Sequence, residues 1–467
     1  MPESLKHLMR LGTHGEKKYF KDFKQKYDGL IINANMIAHT VNSMSTFLGC
    51  ELSKPFIIDP QTYAFQSYTH LLQQNKNKKD SSDTKLKKSF QALIDNYGSF
   101  LNNIILNEKR SIKSSDFTRD ENNTNLKNLC ENVINYQLNT IVSETTTNSE
   151  YSEYIQYEMD SCSNSSSLAL KPAFLIAPYF YMTRNTYNDW INTNINSINI
   201  SKSLVSDLPI YAQIVIEKDL LLDDAKIDDL CINYTNSNAN GFLIWLDKFD
   251  EKGVSDIYLE RFVRFLKKLK ESGKPIYQIY GSYFSIILTK DVLTGVCHGM
   301  EYGENRDVFP VGGGVPVSKF YYPSLHKRLL YRDALDVLIR MNYLEAKDVY
   351  FSNVCNCKNC NEIINIPSED FSKYGDVNST TFKRKSGNRE STVTMDYPTT
   401  DAKDLCLRHY LCNKYNEFEY VANHSYEECC TSILSAYEKY YDILGDNIDY
   451  LRSWNSVLEL LFLSNNE

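Results

Sequence analysis

Three cysteines stand within six residues, in Cys355-Asn-Cys357-Lys-Asn-Cys360. Cysteines this close rarely bridge one another, because a disulfide's Cα separation and dihedral are hard to reach across one or two residues. Three thiolates converging on one point suit a tetrahedral Zn2+ that takes its fourth ligand from elsewhere. Downstream, Leu405-Cys406-Leu407-Arg408-His409-Tyr410-Leu411-Cys412 reads as a helix. His409, Cys406, Cys412 and the more distant His424 are the available fourth ligands. Four protein ligands close the coordination shell, so the expected ion is structural; a catalytic zinc keeps an open position.

A second chemistry is expected from carboxylates. Asp59 ends the apolar run Phe56-Ile57-Ile58-Asp59 and precedes Pro60. A carboxylate after three apolar residues is poorly solvated and suited to proton transfer, although a turn or helix-cap aspartate uses the same pattern. Glu301, Glu304 and Asp307 follow another apolar run, Gly295–Met300. Gln213 sits inside Ile210-Tyr-Ala-Gln213-Ile-Val, where the residues alone read as a buried structural amide. Gly312-Gly313-Gly314 would let backbone N–H groups approach a phosphate or base, or would form a flexible loop. His326, Lys327, Arg328 and Arg332 are expected on a helix after Pro323, where they could track a phosphate backbone.

These groups need a scaffold. Short continuous apolar runs predict strands covered on both faces, as in parallel sheets. They lie at Leu30–Ile37, Phe56–Asp59, Ala173–Tyr181, Ile210–Ile216, Gly241–Leu246, Pro275–Tyr280, Gly295–Met300 and Asp348–Phe351. Helical segments separate them. In Val254–Ser272, Ile257, Leu259, Phe262, Phe265, Leu266 and Leu269 share one side before Gly273 and Pro275. Eight strands alternating with helices predict an α/β fold, a (β/α)8 TIM-like barrel, with a doubly wound open sheet as competitor. The barrel is expected over residues 1–72 and 168–353, interrupted by a helical, partly mobile insertion at 73–167. Residues 354–467 then form a zinc-binding module with C-terminal helices. Ser368–Thr400, with Lys383, Arg384, Lys385 and Arg389, reads as an exposed loop or arm.

The net charge of −8 excludes a uniformly basic coat but allows a local basic patch. Neither a signal-peptide pattern nor a membrane-length apolar stretch is found, so a cytoplasmic, membrane-free protein is expected. The 12 cysteines then stay reduced, and the isolated Cys50, Cys130, Cys162 and Cys231 are expected as buried small apolar residues.

With these residues the chain resembles the tRNA-guanine transglycosylase superfamily. Cys355, Cys357 and Cys360 match the C-x-C-x-x-C of the family's zinc module, and His409, in Leu-Arg-His-Tyr-Leu, matches its later histidine. The stretch Ser368–Thr400 accounts for a longer spacing between them. Asp59-Pro-Gln-Thr-Tyr-Ala-Phe65-Gln66 resembles the family's Asp-Ser-Gly-Gly-Phe-Gln but lacks its paired glycines. Gly299-Met-Glu301-Tyr-Gly-Glu304 aligns with Gly-Ile-Asp-Met-Phe-Asp, which puts Glu304 at the nucleophile position, Glu301 and Asp307 being alternatives. The strand ending Ala177-Pro-Tyr179-Phe-Tyr181 lacks a family aspartate, so base selection should differ.

The resemblance implies a (β/α)8 barrel with a structural Zn2+ at Cys355, Cys357, Cys360 and His409. It implies an enzyme that replaces guanine in nucleic acid with a 7-deazaguanine, DNA being slightly favoured over tRNA. Glu304 would form a covalent glycosyl-enzyme while Asp59 deprotonates the incoming base. Gln213 would contact the base, Gly312 and Gly313 would border it, and no redox or nucleotide cofactor is needed. Two alternatives stand beside this one. The barrel could have lost its catalytic pair and serve as a subunit that binds nucleic acid or partner proteins. It could also be a hydrolase that turns the same two acids on a sugar.

Overall fold

In a computed structural model, the described residues are 5–67, 72, 86–118, 124–141, 170–301, 303–309, 317–386 and 389–465. They divide into two compact units. The first comprises Met1–Phe249, Glu260–Gly281 and Asp291–Phe309, and the second Asp250–Leu259, Ser282–Lys290 and Pro310–Glu467.

The first unit is a parallel, nearly closed eight-stranded barrel. Its strands are β1 (His7–Leu11), β2 (Gly29–Asn33), β3 (Phe56–Asp59), β4 (Leu175–Ile176), β5 (Ile210–Glu217), β6 (Gly241–Asp247), β7 (Ile276–Ile279) and β8 (Gly295–Gly299). The hydrogen-bonded order β3-β2-β1-β8-β7-β6-β5-β4 leaves only the β3–β4 seam without a ladder. One backbone bond crosses that seam, and a side chain covers its β4 edge. The Ala173 N–H donates to the Phe56 carbonyl at 2.8 Å. The side-chain amide of Gln137, on the insertion helix Thr124–Asn139, donates to the Ile176 carbonyl at 2.8 Å and accepts its N–H at 2.9 Å. A buried glutamine therefore satisfies the backbone of β4 where a strand partner would otherwise do so. Continuous apolar runs become strands here because both faces are covered: every residue of β1, β2, β3, β6, β7 and β8 is buried.

The register sorts side chains between the barrel interior and its outside. Arg10 lies level with Ile31 on β2 and Gly299 on β8, and Asn33 lies level with Asp59. At the other end Tyr211 stacks on Phe174 at 3.9 Å and meets Tyr277 at 6.1 Å. A Cβ at Gly241 would fall 2.2 Å from the Tyr211 ring, so only glycine fits beside this aromatic layer.

Two strand expectations need correction. His7–Leu11 is a barrel strand although it lies in the polar N-terminal stretch where none was predicted. Asp348–Phe351, predicted as a strand, lies within the helix Lys347–Asn353. A four-residue apolar run has no period of its own and fits either structure. Gly295–Met300, read as the seventh strand, thus supplies the eighth.

The insertion is helical where it is described, at Lys88–Tyr97 and Thr124–Asn139. The helix predicted at Val254–Ser272 runs over Asp256–Lys270 and ends at Gly273, in the left-handed region at φ 69°. Its expected apolar side is buried except for Ile257, which is exposed. Of the isolated cysteines, Cys130 and Cys231 are buried, Cys50 is exposed, and Cys162 lies outside the described residues. No described helix is long and apolar enough to cross a membrane.

The second unit carries a short hairpin, β9 (Lys319–Tyr322) and β10 (Lys327–Leu330). It also holds a long two-stranded ribbon, β11 (Val377–Ser386) and β12 (Arg389–Pro398), and three C-terminal helices, Thr400–Asn423, Tyr426–Leu444 and Asp449–Asn465. The helix predicted after Pro323 is instead a 3-10 turn followed by β10. His326 takes a left-handed conformation at φ 48° that ends helical continuation, and Arg332 lies in the first turn of the next helix, Tyr331–Arg340. Arg328 lies on the Tyr410 ring at 3.6 Å, and Lys327 donates to the Asn447 carbonyl.

Glu251 is almost fully buried in this unit. Its carboxylate accepts the N–H and hydroxyl groups of Ser282 and Ser285, and its carbonyl accepts the Trp454 indole N–H at 2.7 Å. Burial raises its pKa above the ordinary 4.5, against the opposing pull of the serine hydrogen bonds. A raised carboxyl pKa means the folded state holds the proton more tightly, so this group's contribution to stability falls as pH rises above about 4.5. Glu251→Gln is therefore expected to flatten the pH dependence of stability above that value. Urea unfolding midpoints at pH 5 and pH 8 measure it, and an unchanged difference between them would refute it.

Candidate functional site

The structure brings the predicted metal ligands together. Cys355 follows the Lys347–Asn353 helix, and Cys357 caps the helix Lys358–Ile363, its sulfur accepting the Cys360 N–H. The Cys357 N–H points at the Cys355 sulfur at 3.4 Å. His409 enters from the Thr400–Asn423 helix. One ligand atom from each of Cys355, Cys357, Cys360 and His409 lies within 4.8 Å of all the others, and all four residues are buried.

The histidine's tautomer follows from its neighbours. Its Nε2 is 2.7 Å from the Tyr321 carbonyl, which can only accept, so Nε2 carries the proton. The Nδ1 lone pair then faces the sulfurs, 3.2 Å from Cys360 and 3.5 Å from Cys357. A tetrahedron with metal–ligand bonds of about 2.0–2.3 Å has edges of roughly 3.3–3.8 Å, so these separations fit a bound cation. An outer shell orients the ligands, as metal sites require. Phe320 stacks on the His409 ring at 4.3 Å, Tyr374 Oη lies 3.4 Å from the Cys360 sulfur, and Asn413 Oδ1 lies 3.3 Å from that of Cys355.

The members of the cluster also shift one another's charge. Hydrogen bonds from Cys355, Cys360 and Cys412 hold Cys357 far below the usual thiol range, while burial pushes Cys360 up. Burial lowers the pKa of His409, yet the neighbouring sulfurs overcome that and lift it to about 10. A metal ion would take over the positive charge that the sulfurs otherwise draw onto this ring.

The rival fourth ligands point elsewhere. The Cys406 thiol donates to the Tyr374 carbonyl. His424 stacks on Tyr420 and donates from Nδ1 to that residue's carbonyl. Cys412 reaches Cys357 but is not one of the four clustered ligands.

The second constellation lies at the C-terminal ends of the barrel strands, where such folds place their working groups. Asp59, at the end of β3, is fully buried and both its oxygens are engaged. Oδ2 is 2.5 Å from the Arg10 guanidinium, while Oδ1 accepts the Tyr179 hydroxyl at 2.5 Å and the Gln61 N–H at 3.0 Å. Arg10 also donates through the same nitrogen to Asn33, and its guanidinium lies 5.2 Å from the centre of the Tyr280 ring. Burial opposes its charge, but Tyr280 and Asp59 more than compensate and raise its pKa. Its Nε and Nη1 are buried without an acceptor among the described residues.

Aromatic rings wall this end. Tyr63 stacks on Tyr179 at 5.7 Å and meets Trp245 edge-on at 5.1 Å, and Trp245 packs against Tyr280. The segment after β8 is pinned over them. The Gly299 N–H donates to the Gly303 carbonyl, the Trp245 indole donates to the Arg306 carbonyl, and Arg306 donates to the Tyr280 hydroxyl. Asp247, ending β6, accepts the Val308 N–H at 2.7 Å and the Tyr181 hydroxyl at 2.6 Å.

Of the predicted site residues, Asp59 and Gln213 lie inside the barrel. Gln213 is buried on β5, level with Leu243, and its Nε2 has no acceptor among the described residues. Glu304 is half-buried in the segment after β8, and none of the hydrogen bonds of Asp59 reaches it. Gly312 and Gly313 lie outside the described residues.

Arg10, Asn33, Tyr63, Trp245 and Asp247 were not anticipated, and Tyr179 was noted only where an aspartate was wanting. A charged residue inside the apolar His7-Leu-Met-Arg-Leu11 was the one available signal, since a buried arginine needs an acidic partner. Comparison of the chain with protein families, curated proteins and solved structures finds no match.

Proposed function

We propose that the chain is a base-exchanging transglycosylase that replaces guanine in nucleic acid with a 7-deazaguanine. The observation that carries this reading is Asp59, a strand-end carboxylate in an aromatic-walled barrel end, in a chain that also gathers Cys355, Cys357, Cys360 and His409. The four ligands would hold a structural Zn2+ that fastens the Thr400–Asn423 helix to the cysteine turn and takes no part in the chemistry.

In the exchange, the Glu304 carboxylate attacks the anomeric C1′ of a nucleotide flipped from its stack. The bond from C1′ to guanine N9 breaks, and the departing guanine takes a proton from water. The Asp59 carboxylate removes the proton from the incoming base, which attacks C1′, breaks the glycosyl ester and frees Glu304, and Asp59 then returns that proton to water. One glycosidic bond replaces another, so the step needs no redox partner or nucleotide cofactor. Tyr179, hydrogen-bonded to Asp59, would orient that carboxylate, and the rings of Tyr63 and Trp245 would offer stacking faces to a base.

A second reading has its own observation. Arg10, Tyr179 and Gln61 already occupy both Asp59 oxygens, as in a purely structural ion pair, which favours a non-catalytic subunit that binds nucleic acid or protein.

Incubation of the metal-loaded protein with radiolabelled guanine and either duplex DNA or tRNA separates the two. Exchange predicts label in one nucleic acid, with Asp59→Asn lowering incorporation by about 100-fold or more, as loss of a general acid–base does. Absence of label in both, with the protein folded, would rule out exchange and leave the binding subunit.

A further inference from the structure

The ribbon formed by β11 and β12 is out of keeping with the rest of the chain. Its strands are ten residues each and pair in continuous antiparallel register from Val377↔Pro398 to Ser386↔Arg389. Residues 377–383 of β11 are exposed without interruption, while on β12 half-buried Val393, Met395 and Tyr397 alternate with exposed Thr394 and Asp396. An isolated two-stranded ribbon is marginally stable in water, so one this long points to a partner that covers it.

Charge identifies the partner. The 377–398 stretch holds four basic residues, Lys383, Arg384, Lys385 and Arg389, against two acidic ones, in a chain whose net charge is −8. The basic residues all fall at the far end. The acidic Asp396 sits near the root, level with Ser379 and accepting its hydroxyl, while Glu390 pairs with Lys383 at 3.2 Å. Between root and tip the strands carry hydroxyls, including the cross-strand pair Thr381–Thr394 at 3.0 Å. A hydroxyl-bearing ribbon with a cationic tip is complementary to a polyanion. It is a poor fit for an apolar peptide.

Width chooses between polyanions. The major groove of B-form DNA, about 12 Å wide, admits a two-stranded ribbon, whereas the major groove of A-form RNA is too narrow for side chains to read. At about 3.4 Å per residue, ten residues reach roughly 34 Å, enough to cross a duplex and lie along its groove.

The ribbon's anchorage adds a second line. It is inserted between the third thiol, Cys360, and His409, and its ends are drawn together where the Thr399 N–H donates to the Asp376 carbonyl at 3.0 Å. Thr399 then caps the helix that carries His409. The four-ligand cluster therefore brackets the ribbon in sequence, and the bond from Thr399 to Asp376 closes its base.

We infer that β11 and β12 form a metal-anchored arm that docks in the major groove of duplex DNA. This deepens the nucleic-acid reading above and names its contact surface. Binding is measured without turnover, so failure of base exchange would leave the inference standing.

The test uses the full, metal-loaded chain and a fluorescein-labelled 30-base-pair DNA duplex, with anisotropy read across a salt series. Two variants are compared. One carries Lys383→Gln, Arg384→Gln, Lys385→Gln and Arg389→Gln; the other replaces residues 377–398 by a short glycine-containing turn between Asp376 and Thr399. Both should retain one metal ion per chain, which shows that the module is folded. Both should bind DNA at least about tenfold more weakly, with the slope of log K against log salt reduced by roughly three to four. An RNA duplex of the same sequence should bind more weakly than DNA to the unmodified chain. The inference is overturned if the full chain fails to bind DNA, if either metal-loaded variant binds it unchanged, or if RNA binds equally well. It is also overturned if sedimentation shows that deletion instead separates a dimer, since the ribbon would then pair with a second copy.

Discussion

Cys360→Ser is expected to abolish metal binding and unfold the region that carries the ligands. Its sulfur is buried with those of Cys355 and Cys357 and the Nδ1 of His409, 3.2 Å from that nitrogen. Binding of a structural zinc ion contributes on the order of 10–16 kcal/mol in small modules, as much as a whole domain's net stability of about 5–15 kcal/mol. Losing one of four ligands forfeits much of that. The measurement is metal content by mass spectrometry, paired with hydrogen exchange over the Thr400–Asn423 helix. Cys406→Ser is the control and should keep both metal and protection, because that thiol faces the Tyr374 carbonyl. Equal metal content in Cys360→Ser and the unmodified protein would show that the cluster is only a group of buried thiols. Chelation should reproduce the loss, because it removes the ion that the four buried ligand atoms would share.

The second large effect belongs to Arg10 and Asp59. Arg10→Met removes the cation and leaves a fully buried carboxylate facing an alkyl chain. Breaking a buried ion pair from one side costs about 3–5 kcal/mol. Thermal unfolding should therefore fall by roughly 6–20 °C, taking 2–4 °C per kcal/mol for a unit of this size. Asp59→Asn keeps acceptors for Tyr179 and Gln61 but strands the guanidinium, so it should also destabilise. The combination Arg10→Met with Asp59→Asn should be less destabilised than the sum of the single variants by 1 kcal/mol or more, since no unpaired charge remains. Strict additivity would mean that the two side chains do not form a coupled pair. Activity adds a distinction: if Asp59 moves protons, the double variant recovers stability without recovering base exchange.

Much of the architecture was legible in the chain. Strands buried on both faces announce themselves as unbroken apolar runs, which is why β3, β5, β6 and β7 were located. The metal cluster was legible for a different reason. Three of its ligands sit within one short turn, and the sulfurs of Cys355 and Cys357 are oriented by the backbone N–H groups of Cys357 and Cys360 that they accept. What escaped was whatever lacked a local period. His7–Leu11 looked polar because the charge on Arg10 is balanced from β3, 49 residues away. Asp348–Phe351 looked like a strand because four residues are too few to show a helical repeat.

Sequence by itself determined the alternation of strands and helices, the cysteine turn, and Asp59 at a strand end, since each depends on neighbours a few residues apart. Tertiary structure alone decided which histidine completes the cluster, because Cys406, His409 and Cys412 share one helix and only its docking orients them. It also decided that Asp59 meets Arg10 and Tyr179, from positions 49 residues before it and 120 after it. Barrel closure brings such distant strand ends together, and burial then makes the pairing obligatory by removing the water that would otherwise solvate the charges.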